Sequence, residues 1–203
     1  MRLPRLLVLT DRTQCAGPLP ATVAAAVDAG ARAVLLREKD LPAGERAALA
    51  AELAALLAPV GGTLIVAASA GQSGTAARAG QSGTAVHLAA RQPFPGERPA
   101  LVGRSCHDAA EIAGAAAEGC DYVTVSPVFP SPSKPGYGPP LGPAGLAALL
   151  RDAPPAYALG GVRPPDVPVC RAAGAYGVAV MGAVMRDPHS VAGYLRALTT
   201  VED

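Results

Sequence analysis

Eight short apolar runs recur along the chain, separated by stretches of mixed polarity. They cover residues 6–10, 32–38, 63–68, 85–89, 100–105, 121–126, 156–161 and 176–182. Within each run the apolar positions are nearly continuous rather than alternating, which is typical of strands that are buried on both faces, as in parallel sheets. The pattern therefore predicts eight parallel strands.

Helical patterns lie between these runs. Two apolar stripes recur at helical spacing: Leu49, Leu53, Leu56 and Leu57, and near the end of the chain Val191, Tyr194, Leu195 and Leu198. Asp108 and Gly119 are helix start and stop signals around a third segment. The alternation predicts eight βα units, and hence an α/β chain folded as a single (β/α)₈ TIM-barrel domain over residues 1–203. A doubly wound open sheet is the alternative.

Composition narrows the possible partners and the compartment. The 203 residues are 50% hydrophobic with a formal net charge of +1, so we expect no nucleic-acid partner. No apolar run approaches the roughly 18 residues of a membrane span, and the first run is too short for a signal peptide. The four cysteines are far apart, which indicates a reducing compartment. We expect a cytoplasmic protein without a membrane partner, and a homo-oligomer is compatible with the sequence.

A repeated segment interrupts the regular pattern after the third run. The hexapeptide GQSGTA occurs twice between residues 71 and 85. We interpret it as a local duplication that lengthens a surface loop, because loops absorb insertions readily. A phosphate-binding glycine loop is the alternative, but the segment lacks the lysine that such loops use.

Polar residues follow several predicted strands at their carboxyl ends, where (β/α)₈ barrels form their active sites. The members of this set are Arg37 and Lys39 after the second strand, Ser105 and His107 after the fifth, and Ser131, Ser133 and Lys134 after the sixth. Strand alternation places Arg37 and Lys39 on one face, which suits a phosphate or a carboxylate. Surface ion pairs with Glu38 and Asp40 are the alternative.

Glycines follow the last two strands. Gly160 and Gly161 come after the seventh and Gly182 after the eighth, where barrels commonly bind phosphate through backbone N–H groups. The alternative is that these glycines only close tight turns.

Of the three histidines, His107 is the candidate for proton transfer. It lies at the predicted catalytic mouth beside Ser105, and an imidazole titrates near neutral pH. A structural hydrogen bond is the alternative role. His87, inside the fourth strand, is predicted to be a packed and hydrogen-bonded residue, and His189 lies at a helix start.

Seven stretches together resemble the thiamine phosphate synthase and thiazole tautomerase superfamily over nearly the whole chain. They are LTDR at 9–12, LREKD at 36–40, VHL at 86–88, GRSCH at 103–107, DYVTVSPVFPSPSKPG at 121–136, ALGGV at 158–162 and GVAVMGAV at 177–184. The resemblance implies a barrel that binds a thiazole phosphate as its small-molecule partner. Around the phosphate it implies Ser131, Ser133, Lys134, Gly160, Gly161, Met181 and Gly182.

The resemblance also implies a choice between two activities. Synthases of the family hold Mg²⁺ with acidic residues after the third and fourth strands, where this chain has Ala67 with Ala68 and Arg91 with Gln92. Alanine cannot ligate a hard cation. Leu35 also replaces a glutamine that is expected before LREK.

We therefore predict a thiazole tautomerase, an isomerase with no metal and no cofactor. Its catalytic residues are His107, Ser105 and Arg37, and Arg37, Lys39 and Ser105 also bind substrate. The alternative is the synthase, a transferase that joins thiazole phosphate to an aminopyrimidine diphosphate and for which the resemblance implies Mg²⁺. A non-catalytic thiazole phosphate-binding protein is a further alternative.

Overall fold

Eight parallel strands close into a barrel in chain order in the computed structural model, which describes residues 3–68, 85–131 and 139–200. The strands are β1 (Leu6–Leu9), β2 (Ala33–Leu36), β3 (Thr63–Ala67), β4 (Ala85–Leu88), β5 (Leu101–Cys106), β6 (Tyr122–Val125), β7 (Ala156–Leu159) and β8 (Gly177–Val180). Every predicted strand is confirmed. Since β1 pairs with β8, with Leu6 opposite Val178, the barrel is closed and the open-sheet alternative is wrong.

Seven α-helices are present in the described residues and surround the strands. They are α1 (Leu19–Asp28), α2 (Ala43–Leu57), α3 (Ala109–Ala117), α4 (Gly142–Leu149), α5 (Val167–Ala172), α6 (Gly182–Arg186) and α7 (Val191–Thr199). The predicted stripes face the strands, because Leu53 and Leu57 of α2 and Tyr194 of α7 are buried. The predicted cap is confirmed too: Asp108 accepts a hydrogen bond of 2.8 Å from the backbone N–H of Glu111.

Alternation along each strand separates two apolar cores. One set of positions packs outward against the helices, and the other fills the barrel interior. The interior core contains Tyr122 and Tyr157, whose rings meet edge to face with centroids 5.6 Å apart. These tyrosines are accommodated by small neighbours such as Gly103, which lies opposite Tyr122 in the β5–β6 pairing. The same alternation directs the next inward side chains, towards the carboxyl ends of the strands, into the site.

The connection from β4 to β5 departs from the predicted βα unit. Residues 89–100 are described and contain no helix. Instead, the Arg104 guanidinium donates hydrogen bonds to the carbonyls of Ala89, Ala90 and Gln92 at 3.1, 3.0 and 2.7 Å. A buried arginine thus satisfies the backbone acceptors that a helix would otherwise satisfy, and prolines at 93, 95 and 99 oppose helix formation.

The repeated GQSGTA segment lies outside the described residues, except for its last residue, Ala85, which begins β4. Within the described ranges no helix is long and apolar enough to cross a membrane. The four cysteines, Cys15, Cys106, Cys120 and Cys170, are free thiols. The cytoplasmic location stays a prediction.

Candidate active site

A pocket of about 1290 Å³ opens at the carboxyl ends of the strands. Most of the predicted site residues line it: Arg37, Lys39, Ser105, His107, Ser131, Gly160, Gly161, Met181 and Gly182. Ser133 and Lys134 lie outside the described residues. The structure therefore gathers residues from five strand ends that are far apart in sequence.

Arg37 and Lys39 face this pocket, whereas their acidic neighbours point away from it. Arg12 binds both acids: it donates to Glu38 at 3.0 Å and to Asp40 at 2.8 and 2.6 Å. Ion pairs of Arg37 and Lys39 with these acids, the alternative from sequence, do not form. Because Arg12 engages both carboxylates, neither of them forms an ion pair with Arg37 or Lys39, and both pocket cations remain available to a ligand.

Arg37 is anchored at its backbone and at its side chain. Its N–H donates 3.0 Å to the buried hydroxyl of Thr10, and its Nη1 lies 2.9 Å from the sulfur of Met181. Lys39 is held less firmly and has no hydrogen bond or ion pair to the described residues. Partial desolvation, followed by the charges of Arg37 and Arg46, lowers the pKa of Lys39. A positive field with little local compensation is well suited to binding an anion.

His107 is held at its ring and at its backbone. Its Nδ1 lies 2.7 Å from the carbonyl oxygen of Ser126, and its backbone N–H donates 2.8 Å to the Glu111 carboxylate. Because a carbonyl oxygen can only accept, Nδ1 carries the proton, and Nε2 is an acceptor in the neutral ring.

His87 also lines the pocket, although the sequence analysis excluded it from the candidates. Its Nε2 lies 2.9 Å from the Ser105 hydroxyl, and its Nδ1 lies 3.0 Å from the Tyr122 hydroxyl. Burial, followed by the charges of Lys39 and Arg37, lowers the pKa of His87 to about 3. The prediction of a packed, hydrogen-bonded histidine is confirmed, but its contact with Ser105 joins it to the site.

Gly160 and Gly161 are required by the fold at this turn. Both have positive φ angles, +95° and +66°. A Cβ on Gly161 would overlap the carbonyl oxygen of Pro130, and one on Gly160 would lie 3.0 Å from the Cα of Pro127. Tight packing against the β6 loop thus explains these glycines, and their placement on the pocket wall also exposes backbone there.

Sequence reasoning missed three further cations at the rim. Arg91, Arg163 and Arg186 are exposed and line the pocket. Arg163 pairs with Asp166 at 3.0 Å, and Arg186 donates 2.7 Å to Gln14. With Arg37 and Lys39, the described lining carries five cations against two carboxylates, Glu111 and Asp166. Arg91 could have been found from the sequence, because it follows the fourth strand at the carboxyl end, where the pocket opens.

Comparison with known proteins assigns the family. A family model described as Thiamine monophosphate synthase matches residues 6–184. The chain belongs to this family.

Individual relatives agree with the assignment. A thiamine-phosphate synthase of Anaeromyxobacter dehalogenans is 38% identical over 187 residues, which span 85% of this chain and 79% of that protein. A Geobacter sulfurreducens protein named "Putative thiamine-phosphate synthase" is 39% identical over 191 residues, 90% of this chain and 87% of that one. In fold, the chain is similar to a thiamine phosphate pyrophosphorylase from Pyrococcus furiosus, with a TM-score of 0.79 at 23% identity, covering 98% and 97% of the two chains.

These names correct the predicted activity. The thiazole tautomerase prediction is wrong, because the relatives that match over most of the chain are named as synthases of the thiamine monophosphate synthase family. That prediction depended on the missing carboxylates. Cations can also stabilise a leaving diphosphate, and Arg37 and Lys39 line this pocket, so the missing carboxylates alone do not distinguish the two activities.

Proposed function

We propose that this chain is a thiamine-phosphate synthase, a transferase that joins thiazole phosphate to an aminopyrimidine diphosphate and releases diphosphate. The names of its relatives support this proposal. The observation that carries it is the separation of charge after β2. Arg37 and Lys39 face the pocket, while Arg12 holds Glu38 and Asp40 away from it.

The main requirement of the coupling step is stabilisation of the leaving diphosphate. The lone pair of the thiazole nitrogen forms a C–N bond to the exocyclic methylene carbon of the pyrimidine. The C–O bond to the diphosphate breaks, and its electron pair leaves with the diphosphate oxygen. Fixed positive groups near that oxygen stabilise the charge that develops there. Arg37 and Lys39 supply those charges, and Ser105 adds a hydrogen bond.

In this proposal the thiazole phosphate binds at the part of the lining that β7 and β8 supply. The turn at Gly160 and Gly161 and the backbone from Met181 to Gly182 present the pocket wall there. Ser131 stands at the start of the β6 loop, and Ser133 with Lys134, which the structure does not describe, would add a hydroxyl and a charge. A backbone surface free of side chains lets an anion approach closely.

His107 has a different role here from the one predicted from sequence. The coupling step moves no proton to or from an imidazole, so the proton-transfer role belongs to the rejected tautomerase activity. We assign His107 to orienting the substrate, since the Ser126 carbonyl holds its ring and the Glu111 carboxylate holds its backbone at the pocket wall.

The Mg²⁺ implied by the resemblance to synthases does not fit these residues. No Asp or Glu occurs between Glu52 and Glu97, the interval that contains β3, β4 and the segment joining them. Among the described residues, no group of three or more His, Cys, Asp or Glu side chains could hold a metal ion. Magnesium is held in proteins chiefly by carboxylates. We therefore derive no step through a metal and propose that side-chain cations stabilise the leaving diphosphate.

The proposal is tested by following diphosphate release from the aminopyrimidine diphosphate in the presence of thiazole phosphate. Lys39→Gln should lower kcat/KM about tenfold to a hundredfold, the effect of losing one charge-assisted contact. Arg151→Gln is the matched control, because Arg151 is exposed and does not line the pocket. Equal rates for Lys39→Gln and the control would remove Lys39 from the site.

A further inference from the structure

A chain of three polar side chains runs from the barrel interior to the pocket. The Tyr122 hydroxyl lies 3.0 Å from Nδ1 of His87, and Nε2 of His87 lies 2.9 Å from the hydroxyl of Ser105. Tyr122 and His87 are buried, whereas Ser105 is half-buried and lines the pocket. The order of donors along this chain decides what the Ser105 hydroxyl presents to a ligand.

The Tyr122 hydroxyl fixes the first hydrogen bond. In the described part of the chain, Nδ1 of His87 is its hydrogen-bond partner. If Nδ1 carried a proton, the phenolic hydrogen would lose its acceptor inside the barrel, where an unsatisfied polar group is destabilising. Tyr122 therefore donates, and Nδ1 accepts.

The charge state of His87 fixes the second hydrogen bond. Burial, followed by the charges of Lys39, Arg37 and Arg104, lowers the pKa of His87 to about 3. The ring is neutral at physiological pH and carries one proton. Since Nδ1 accepts from Tyr122, that proton is on Nε2, and it is donated to the Ser105 oxygen.

The Ser105 hydroxyl is then left as a donor. Its oxygen accepts from His87, so its own hydrogen cannot return to Nε2. We propose that Tyr122 and His87 are positioning residues that fix the Ser105 hydroxyl as a hydrogen-bond donor to the anion bound by Arg37 and Lys39. The identity of that anion as a diphosphate rests on the proposed function; the order of donors does not.

Nitrogen NMR on the wild-type protein tests the order of donors directly. With ¹⁵N-labelled histidine, and His87→Gln to assign the signals, we expect His87 to show a protonated Nε2 and an unprotonated Nδ1 at pH 7. A protonated Nδ1 would reverse the chain and overturn the proposal. This measurement uses the folded protein alone and requires neither substrate nor turnover.

A double-mutant cycle tests the consequence for binding, with inorganic pyrophosphate as the probe. Tyr122→Phe removes only the hydroxyl, and we expect it to weaken binding about threefold to tenfold, a coupling typical of residues in one hydrogen-bond network. In the Ser105→Ala background the same change should have less than about a twofold effect, because the donor that it orients is gone. Equal effects in both backgrounds, or no binding of pyrophosphate by the wild type, would overturn the proposal.

The experiments distinguish failure of the positioning proposal from failure of the synthase proposal. If Nε2 is protonated and the cycle is non-additive but both substrates yield no thiamine phosphate, the positioning chain stands and the synthase function is wrong. If thiamine phosphate forms but Nδ1 carries the proton, the function stands and the positioning chain is wrong.

Discussion

Arg12 and Asp40 form a two-pronged ion pair, with Nη1 and Nη2 of the guanidinium 2.8 and 2.6 Å from the two carboxylate oxygens. Neither residue lines the pocket, yet this pair contributes to its charge. The Arg12 guanidinium also binds Glu38, so one side chain holds both acids that flank Lys39 in sequence. The hydrogen bond to Arg12 lowers the pKa of Asp40 and keeps this carboxyl ionised.

Arg12→Ala should therefore weaken anion binding from outside the pocket. Without Arg12, the carboxylates of Glu38 and Asp40 are free to compensate Arg37 and Lys39, and we expect pyrophosphate affinity to fall by about threefold to tenfold. Calorimetric titration measures the change. Arg12→Lys keeps a cation at this position and should recover most of the affinity; if Arg12→Ala binds as tightly as wild type, the acids do not influence the pocket.

Removal of divalent metal should leave turnover unchanged. The interval from 53 to 96 contains no carboxylate, so β3, β4 and the segment that joins them supply no acidic ligand for Mg²⁺. We expect equal initial rates in EDTA and in millimolar Mg²⁺, once the effect of Mg²⁺ on the free diphosphate substrate is measured separately. Activity that disappears in EDTA and returns with Mg²⁺ would show that carboxylates from elsewhere in the chain reach the leaving group.

His87 should make the fold sensitive to mild acid. Its pKa of about 3 in the folded chain lies below the ordinary value of 6.5, so the unfolded chain takes up the proton first. The stabilising contribution is complete above pH 6.5 and is lost as the pH falls from 6.5 towards 3. Between pH 7 and pH 5 the free energy of unfolding should fall by about 2 kcal/mol more in wild type than in His87→Gln, measured by urea denaturation. Parallel losses in the two proteins would contradict a neutral buried imidazole.

Gly103→Ala should disturb the barrel interior. A Cβ at this position would overlap the ring of Tyr122, whose hydroxyl holds His87. We expect a destabilisation of about 1–3 kcal/mol, typical of overpacking a core. Gly114→Ala is the control, since Gly114 is exposed in α3 with nothing within 4 Å of the added atom, and alanine there should stabilise the helix slightly. A stable Gly103→Ala protein with unchanged chemical shifts at His87 would show that Tyr122 can move without consequence.

His107→Gln distinguishes orientation from proton transfer. Glutamine keeps a hydrogen-bonding group of similar reach but cannot titrate, so under the proposed coupling chemistry kcat should fall by less than about tenfold. Loss of general acid/base catalysis would cost about 10² to 10⁴. A loss in that larger range, together with a wild-type rate that titrates near the imidazole pKa, would return a proton-transfer role to His107.

The strands were predictable because each one is buried on both faces and therefore forms a nearly continuous apolar run. Alternation also predicted correctly that Arg37 and Lys39 share a face. It could not predict that Arg12 binds Glu38 and Asp40, which lie 26 and 28 residues later in the chain. The connection after β4 was mispredicted as helical. Its backbone carbonyls are bound by Arg104, which belongs to the next strand, and local sequence does not indicate this contact.

The hydrogen-bond partners of His87 could not be predicted from the sequence for a similar reason. Burial of a histidine inside a strand could be inferred from its position, and it is confirmed. Its partners, however, lie on β5 and β6, 18 and 35 residues later in the chain, and the closure of the barrel brings them together rather than local spacing. The activity was mispredicted because missing metal ligands were weighed without the cations that gather in the same pocket.

The most direct test of the synthase function is incubation of the purified protein with thiazole phosphate and aminopyrimidine diphosphate, separately and together, in the presence of EDTA. We expect thiamine phosphate and pyrophosphate in equal amounts when both substrates are present, and neither product from either substrate alone. The same incubation with Arg37→Gln should give a much lower rate, and Arg151→Gln a normal one. Absence of thiamine phosphate from the wild-type reaction, both in EDTA and after Mg²⁺ is added, with the protein folded and binding both substrates, would contradict the synthase function.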